Sequence, residues 1–101
     1  AGRFSGINIK LVKCGGLTPA LTMLETARRL QLKVMTGCML ESSLLISAGA
    51  IVAQKADWVD LDGSWLLAED PFQGPVFECG VLTPISNPGL GVALRDKPDI
   101  L

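Results

Sequence analysis

The chain lacks histidine and tyrosine altogether, and aromatic residues make up only 5% of its 101 residues. Without an imidazole group, the chain can form neither a Ser–His or Cys–His nucleophile pair nor a histidine-ligated zinc site. Any proton transfer that it performs must therefore use lysine, aspartate, glutamate or cysteine side chains.

Neither charge sign is in excess, and long hydrophobic runs are missing. Nine Lys+Arg residues oppose ten Asp+Glu residues, and no basic cluster could follow a phosphate backbone, so nucleic acid is not expected as a partner. The longest strongly apolar stretch, residues 44–53, is well short of the roughly 20 residues that cross a membrane. The N-terminus lacks a basic segment followed by an apolar one, as a secretory signal would have. We therefore expect a soluble, cytoplasmic protein with no membrane partner.

Cysteine is scarce as well. The three cysteines, Cys14, Cys38 and Cys79, are odd in number and show no C-x-x-C spacing. This pattern argues against a disulfide framework and against a zinc knuckle. Reduced thiols in a cytoplasmic protein are the expected state.

Hydrophobic periodicity and turn residues predict alternating strands and helices over residues 1–63. Strands are predicted at 7–12, 33–37 and 58–62, and helices at 18–31 and 44–53, the second capped by residues 41–43. This order is typical of an α/β fold with a parallel sheet. Residues 64–101 are rich in proline and glycine and predict an irregular closing segment with room for one small hairpin.

The predicted elements are too few to cover one another. The second helix is apolar on nearly every side, which indicates that it packs between neighbours, and three parallel strands normally need helices on both faces. A (β/α)₈ TIM-type barrel takes about 250 residues. We therefore interpret residues 1–101 as the C-terminal part of such a barrel, about its last three β/α units, incomplete on its own.

In a parallel α/β fold, ligands gather at the carboxyl ends of the strands. Lys10, with Lys13 nearby, lies inside the first apolar strand between Ile9 and Leu11, where an unpaired ammonium group would be costly. Such a lysine either pairs with carboxylates or serves as a proton-transfer base. The alternative is a lysine whose stem packs while its ammonium group reaches solvent.

Asp60 and Asp62 alternate with Val59 and Leu61, so in a strand both carboxylates would point to one face. Two adjacent carboxylates attract a cation, which can be a metal ion or a substrate ammonium group. A solvated strand end before an Asp-Gly turn and the D-x-D of a sugar-nucleotide transferase are the alternatives. Cys38, at the end of the second strand, is interpreted first as a packing residue or rim thiol.

Four segments together resemble a known family. Residues 7–17, 36–42, 60–63 and 88–92 closely resemble the C-terminal end of the enolase superfamily, in particular the dipeptide epimerases of its muconate-lactonizing subgroup. The lysine strand followed by Gly-Gly marks the subgroup, and the D-x-D on the last strand points to dipeptides. The resemblance covers residues 7–92.

The resemblance implies a role for each candidate residue. Lys10 is one of two lysines that remove and return a substrate α-proton from opposite faces. Asp60 and Asp62 bind the free α-ammonium group of the dipeptide. Residues 38–40, which are Cys38, Met39 and Leu40, line the substrate pocket, partly through backbone groups. Lys13 supports the site without touching the substrate.

The resemblance also implies what lies elsewhere in such a protein. The reaction is a Mg²⁺-dependent inversion of the α-carbon in an L-Ala-Glu-like dipeptide by two-base proton transfer through an enediolate. The metal carboxylates, the second lysine and a capping domain are expected upstream, with no metal ligand in this segment. The 101-residue chain alone is expected to be inactive and to self-associate. The alternatives are an o-succinylbenzoate synthase or N-succinylamino acid racemase and, from another class, a non-catalytic assembly unit that forms a homo-oligomer or pairs with another chain.

Overall fold

The computed structural model describes residues 2–96. A three-stranded sheet carries the order β1-β2-β3 with both pairs parallel, and helices alternate with its strands. The chain is thus an α/β structure with a parallel sheet, while closure into a barrel stays a prediction. Its elements are β1 (Gly6–Lys10), α1 (Leu11–Cys14), α2 (Leu17–Arg29), β2 (Lys33–Gly37), α3 (Ser43–Ala53), β3 (Trp58–Asp60), a 3₁₀ helix (Gly63–Leu66), β4 (Phe72–Gln73), β5 (Val76–Glu78), β6 (Val81–Thr83) and β7 (Ala93–Leu94).

Helices α2 and α3 cover one face of this sheet. The register pairs Ile9 with Thr36, so these two side chains share a face, and both are almost fully buried. Ala20, Leu24 and Val52 of the two helices complete this core. Side chains that alternate with the buried ones point to the opposite face of the sheet. Within residues 2–96 this face is open to solvent, and Trp58, for example, is 58% exposed.

Three predicted boundaries were wrong by a few residues. The first strand ends at Lys10 and not at residue 12, because Leu11 turns into the core, where it is 4% exposed, and begins the short helix α1. Helix α2 ends at Arg29 because Gln31 adopts a left-handed backbone with φ 59. The third strand ends at Asp60, because Asp62 has helical φ and ψ and precedes the 3₁₀ helix.

The closing segment is more regular than its composition predicts. It contains the small hairpin, formed by β5 and β6, and in addition a second antiparallel pair formed by β4 and β7. This second pair joins residues about 20 positions apart, so no local turn motif announces it. Residues 97–101 of the predicted segment lie outside the described residues.

The N-cap residue of α3 is Ser42, inside the predicted cap at 41–43, but the capping side chain comes from the closing segment. Ser42 occupies the N-cap position without a side-chain cap hydrogen bond. Instead, the backbone N–H and the hydroxyl of Ser43 donate to Asp70 Oδ2, at 2.9 and 2.5 Å. Burial raises the pKa of Asp70, but the hydrogen bonds from Ser43 and Phe72 outweigh it and leave the pKa below its usual value. Asp70 therefore fastens the closing segment to α3.

Asp57 joins three elements at the amino ends of the strands. Its carboxylate accepts from the Val34 N–H at 2.9 Å and forms ion pairs with Arg28 at 2.6 Å and Lys33 at 3.1 Å. The Val34 hydrogen bond, with Arg28 and Lys33, holds the pKa of Asp57 far below its usual range. This edge of a parallel α/β fold usually serves stability and not catalysis.

Asp57→Asn is expected to destabilise the protein at neutral pH, and this destabilisation should become progressively smaller as the pH falls below about 4. The charged carboxylate stabilises the folded state above its unfolded pKa of about 4, and this stabilisation is lost as the pH falls toward the lower folded pKa. Urea denaturation midpoints at pH 7 and pH 3 measure the difference in stability between wild type and variant. Asp96→Asn, at an exposed aspartate, is the control. A stability difference at pH 3 as large as that at pH 7 would contradict the charge-based explanation.

Within residues 2–96, the helices are all too short or too polar to cross a membrane.

Candidate functional site

The carboxyl ends of the three parallel strands form one row. The register pairs Lys10 with Gly37 and Gly37 with Asp60, so the predicted base and the first predicted acid lie two strands apart on the same open face. A Cβ at position 37 would lie 2.7 Å from Asn8 Oδ1. Glycine at this position thus leaves space for Asn8 and keeps the middle of the row free of a side chain.

The loop after β2 reaches toward Lys10. The Lys10 ammonium group donates to Met39 Sδ at 3.5 Å. Met39 is 47% exposed and Leu40 is also exposed, so both can contact a molecule that covers this edge. The structure therefore brings the predicted base and the predicted pocket loop together.

Asp60, Asp62 and Cys38 form the second part of the site. One ligand atom of each, the Cys38 sulfur and a carboxylate oxygen of Asp60 and Asp62, lies within 4.8 Å of the other two. The Cys38 thiol donates to Asp62 Oδ1 at 3.8 Å. Alternation along a strand predicted that the two carboxylates share a face, and they do lie together although the strand ends between them.

Cys38 is a neutral thiol in this cluster. Burial raises its pKa, the Gly63 N–H lowers it, and the nearby carboxylates, Glu41, Asp62 and Asp60, raise it further. The thiol therefore keeps its proton at neutral pH and acts as a weak donor to Asp62. The earlier interpretation of Cys38 as a packing residue was incomplete, because its sulfur faces both acids.

The described residues do not fit a magnesium site. Mg²⁺ prefers near-octahedral oxygen ligands, and a protonated thiol is a poor partner for it. Within residues 2–96, the cluster of Cys38, Asp60 and Asp62 is the one group whose spacing could hold a metal ion. Two carboxylates facing one open space suit an ammonium group, whose three N–H donors match carboxylate acceptors.

Lys13 lies on the outer side of this arrangement. It is exposed on α1 and lines a surface cavity of about 410 Å³ together with Asn8, Lys10 and Cys14. Its location beside Lys10 is compatible with a supporting role, and that role stays a prediction.

Two residues that contact the pocket loop were given other roles from the sequence, although Glu41 already belonged to the strand-end candidates at 38–41. Glu41 was interpreted as part of a helix cap, but its carboxylate is buried and accepts from the Met39 N–H at 3.0 Å. Gly63 was interpreted as a strand terminator, but a Cβ there would overlap the Met39 carbonyl oxygen. The available signals were an acidic residue next to an apolar helix and a glycine directly after the D-x-D.

Comparison with known proteins agrees with this arrangement. Residues 1–98 match the family model described as enolase C-terminal domain-like. An L-Ala-D/L-amino acid epimerase of Flavobacterium johnsoniae is 50% identical over 91 residues, which are 90% of this chain and 27% of the relative. An N-acetyl-D-glutamate racemase and an N-succinyl Arg/Lys racemase are also among the similar proteins.

Two solved structures resemble the fold closely. An enolase family member from Agrobacterium tumefaciens with homology to dipeptide epimerases, holding sodium and L-Ala-L-Glu, is 49% identical with a TM-score of 0.75, covering 81% of this chain and 25% of its own. A dipeptide epimerase from Methylococcus capsulatus, in complex with Mg and L-Arg-D-Lys, is 39% identical with a TM-score of 0.72, covering 84% of this chain and 25% of its own.

The chain spans about a quarter of the length of the curated relatives it matches. The family match nevertheless covers nearly all of its residues. Its sequence relatives are epimerases and racemases, which are isomerases. The chain therefore belongs to the enolase C-terminal domain-like family of the enolase superfamily.

Proposed function

We propose that this chain is part of a Mg²⁺-dependent dipeptide epimerase that inverts the α-carbon of the second residue of an L-Ala-Glu-like dipeptide. The observation that carries the proposal is the register row in which Lys10 and Asp60 stand two strands apart at the same sheet edge. Neighbouring strands are about 4.8 Å apart, so the two α-carbons are separated by about 10 Å. Consecutive α-carbons of a dipeptide are about 3.8 Å apart. A dipeptide anchored at the acids can therefore extend its second α-carbon toward Lys10.

Lys10 removes the α-proton from one epimer or returns it to the other. Once the proton has left, the planar α-carbon can accept a proton on its opposite face, which requires a second base from another part of the protein. An α-hydrogen beside a carboxylate is only weakly acidic, so the developing negative charge needs stabilisation. Mg²⁺ would supply this stabilisation, with ligands outside the described residues.

The acid pair favours a dipeptide over the alternatives within the superfamily. An o-succinylbenzoate synthase or N-succinylamino acid racemase acts on a molecule without a free ammonium group at this position. Such a substrate would place a neutral or anionic group against Asp60 and Asp62, where like charges repel. A dipeptide ammonium group would instead pair with both carboxylates.

The alternative of another class is a non-catalytic assembly unit. It is supported by exposed apolar side chains along the uncovered strands, including Trp58 and Val59. We expect the 101-residue chain alone to lack turnover, because the resemblance places the second base and the metal ligands in another part of the protein. We expect it to self-associate through its exposed apolar side chains. Size-exclusion chromatography of the chain and an activity assay on it check both points. The cytoplasmic location stays a prediction.

The proposed function is tested with the complete protein that contains this chain. Dipeptides of the L-Ala-X type are incubated with it in D₂O, and NMR follows the α-proton of the second residue. We expect loss of that proton signal together with appearance of the epimer, and loss of both after chelation of the metal. Turnover of N-succinylamino acids with none of dipeptides would favour the racemase alternative, and no exchange with either class would contradict the proposal.

A further inference from the structure

Glu41 is a buried acid that the proposed chemistry does not use. It is 7% exposed, and Oε1 accepts a hydrogen bond from the Met39 N–H, two residues earlier in the chain. Burying a carboxylate without hydrogen-bond partners is costly, so the partner of Glu41 indicates the role of this residue. What it binds is the backbone of the pocket loop, residues 38–40.

Gly63 holds the same loop from the other side. A side chain at position 63 would overlap the Met39 carbonyl oxygen and would come within 3.2 Å of both Cys38 Sγ and the Glu41 nitrogen. Gly63 is not among the residues with positive φ, so space and not backbone conformation explains the glycine. The segment that carries Asp60 and Asp62 can therefore lie directly against the pocket loop.

From these contacts we infer that Glu41 and Gly63 are positioning residues that fix the pocket loop between Lys10 and the acid pair. Glu41 accepts a hydrogen bond from the Met39 N–H, and Gly63 leaves space for the Met39 carbonyl oxygen. Together they fix the positions of both backbone polar groups of Met39. The loop then places Met39 Sδ against Lys10 and Cys38 Sγ against Asp62. The kinetic consequence of this inference rests on the proposed function, whereas the effect on loop position does not.

The structural part is measured by the reactivity of Cys38 in the complete protein. Cys38 is a half-buried residue of the loop, whereas Cys79 is exposed. Iodoacetamide labelling with peptide mass mapping reports each cysteine separately, and Cys79 serves as the internal reference. Glu41→Leu fills a similar volume but leaves the Met39 N–H without its acceptor, and we expect Cys38 labelling to rise about tenfold or more.

The kinetic part uses the same variants. Displacing reacting groups by about 1 Å can cost about 100-fold in rate, so Glu41→Leu is expected to lower kcat/KM for the dipeptide by between about 10-fold and 100-fold. KM should rise as well, because Cys38 touches Asp62. Glu41→Gln keeps an oxygen acceptor for Met39 and should restore both kinetic constants and the low Cys38 labelling. Gly63→Ala adds a Cβ that overlaps the Met39 carbonyl oxygen, so it should reproduce the Glu41→Leu effects. It is the alternative variant if Glu41→Leu does not fold.

Asp70→Ala is the matched control. It removes another carboxylate that accepts from backbone N–H groups, but it releases the closing segment and not the pocket loop. It should lower stability with kcat, KM and Cys38 labelling unchanged. Glu41→Leu with wild-type labelling and kinetics, or Asp70→Ala with the same kinetic loss, would overturn the inference. Wild-type protein that turns over no dipeptide would refute the proposed function, while the labelling would still decide the positioning role.

Discussion

Lys10→Ala in the complete protein is expected to lower kcat for dipeptide epimerisation by about 100-fold to 10,000-fold, the range contributed by a positioned general acid or base. The ammonium group of Lys10 lies at the carboxyl end of β1, in the row that leads to Asp60. An alanine there removes the amine that the proposed mechanism uses on one face of the substrate. Epimerisation of L-Ala-Glu followed by circular dichroism or NMR measures the loss.

Lys55→Ala is the control for this experiment, because it removes an exposed lysine that lies before the amino end of β3. It should retain most of the wild-type kcat. A two-base reaction adds a sharper expectation: in Lys10→Ala, one epimer should still exchange its α-proton with D₂O through the remaining base, while the other should not. Full epimerisation by Lys10→Ala, or equal loss of exchange from both epimers with Lys55→Ala equally impaired, would show that Lys10 is not the base.

The parallel sheet could be predicted because its signals are local. Apolar residues at strand or helix spacing reflect which side of each element is buried, and glycines mark where strands end. The strand β2 was predicted with its observed ends, Lys33 and Gly37, from a short apolar run that ends in glycine. Boundaries were less certain where a tertiary contact decides them, as at Leu11, whose burial in the core ends β1.

The candidate site could be predicted in part for the same reason. Position at strand ends selects Lys10 and Asp60, and the register places them in one row. Asp62 was placed beside Asp60 by assuming a strand that does not extend that far. In the structure the chain turns into a 3₁₀ helix after Asp62, and its carboxylate still lies beside Asp60 and against the Cys38 thiol.

Contacts between distant segments could not be predicted. Asp70 caps α3 from 27 residues away, and Gly63 lies against a loop more than 20 residues earlier. Neither contact has a periodic pattern or a motif, because each depends on how two separate segments pack. The buried Glu41 is a related case: its type and position fit a helix cap, and only the fold shows that its carboxylate turns back to Met39.

Replacing both acids, as Asp60→Asn with Asp62→Asn, is expected to raise KM for dipeptides by about 100-fold or more and to change kcat much less. Each charge-assisted hydrogen bond between an ammonium group and a carboxylate contributes about 1.5–3 kcal/mol, and the double variant removes both charges. In the proposed mechanism, proton transfer at Lys10 does not involve these acids, so the rate with bound substrate should persist. Initial rates over a range of L-Ala-Glu concentrations separate the two constants.

The control for the double variant removes two exposed charges elsewhere, as Glu25→Gln on α2 with Asp96→Asn after β7. It should leave KM unchanged, which separates local pairing from the effect of net charge on a cationic group. A second comparison concerns substrate chemistry: a dipeptide whose amino group is acetylated cannot pair with the carboxylates, so its KM should be high with wild type and no higher with the double variant. If acetylated and free dipeptides lose affinity equally in the double variant, the acids shape the pocket and do not bind the ammonium group. If only free dipeptides lose it, the charge of Asp60 and Asp62 is what selects a dipeptide over an N-acylated amino acid.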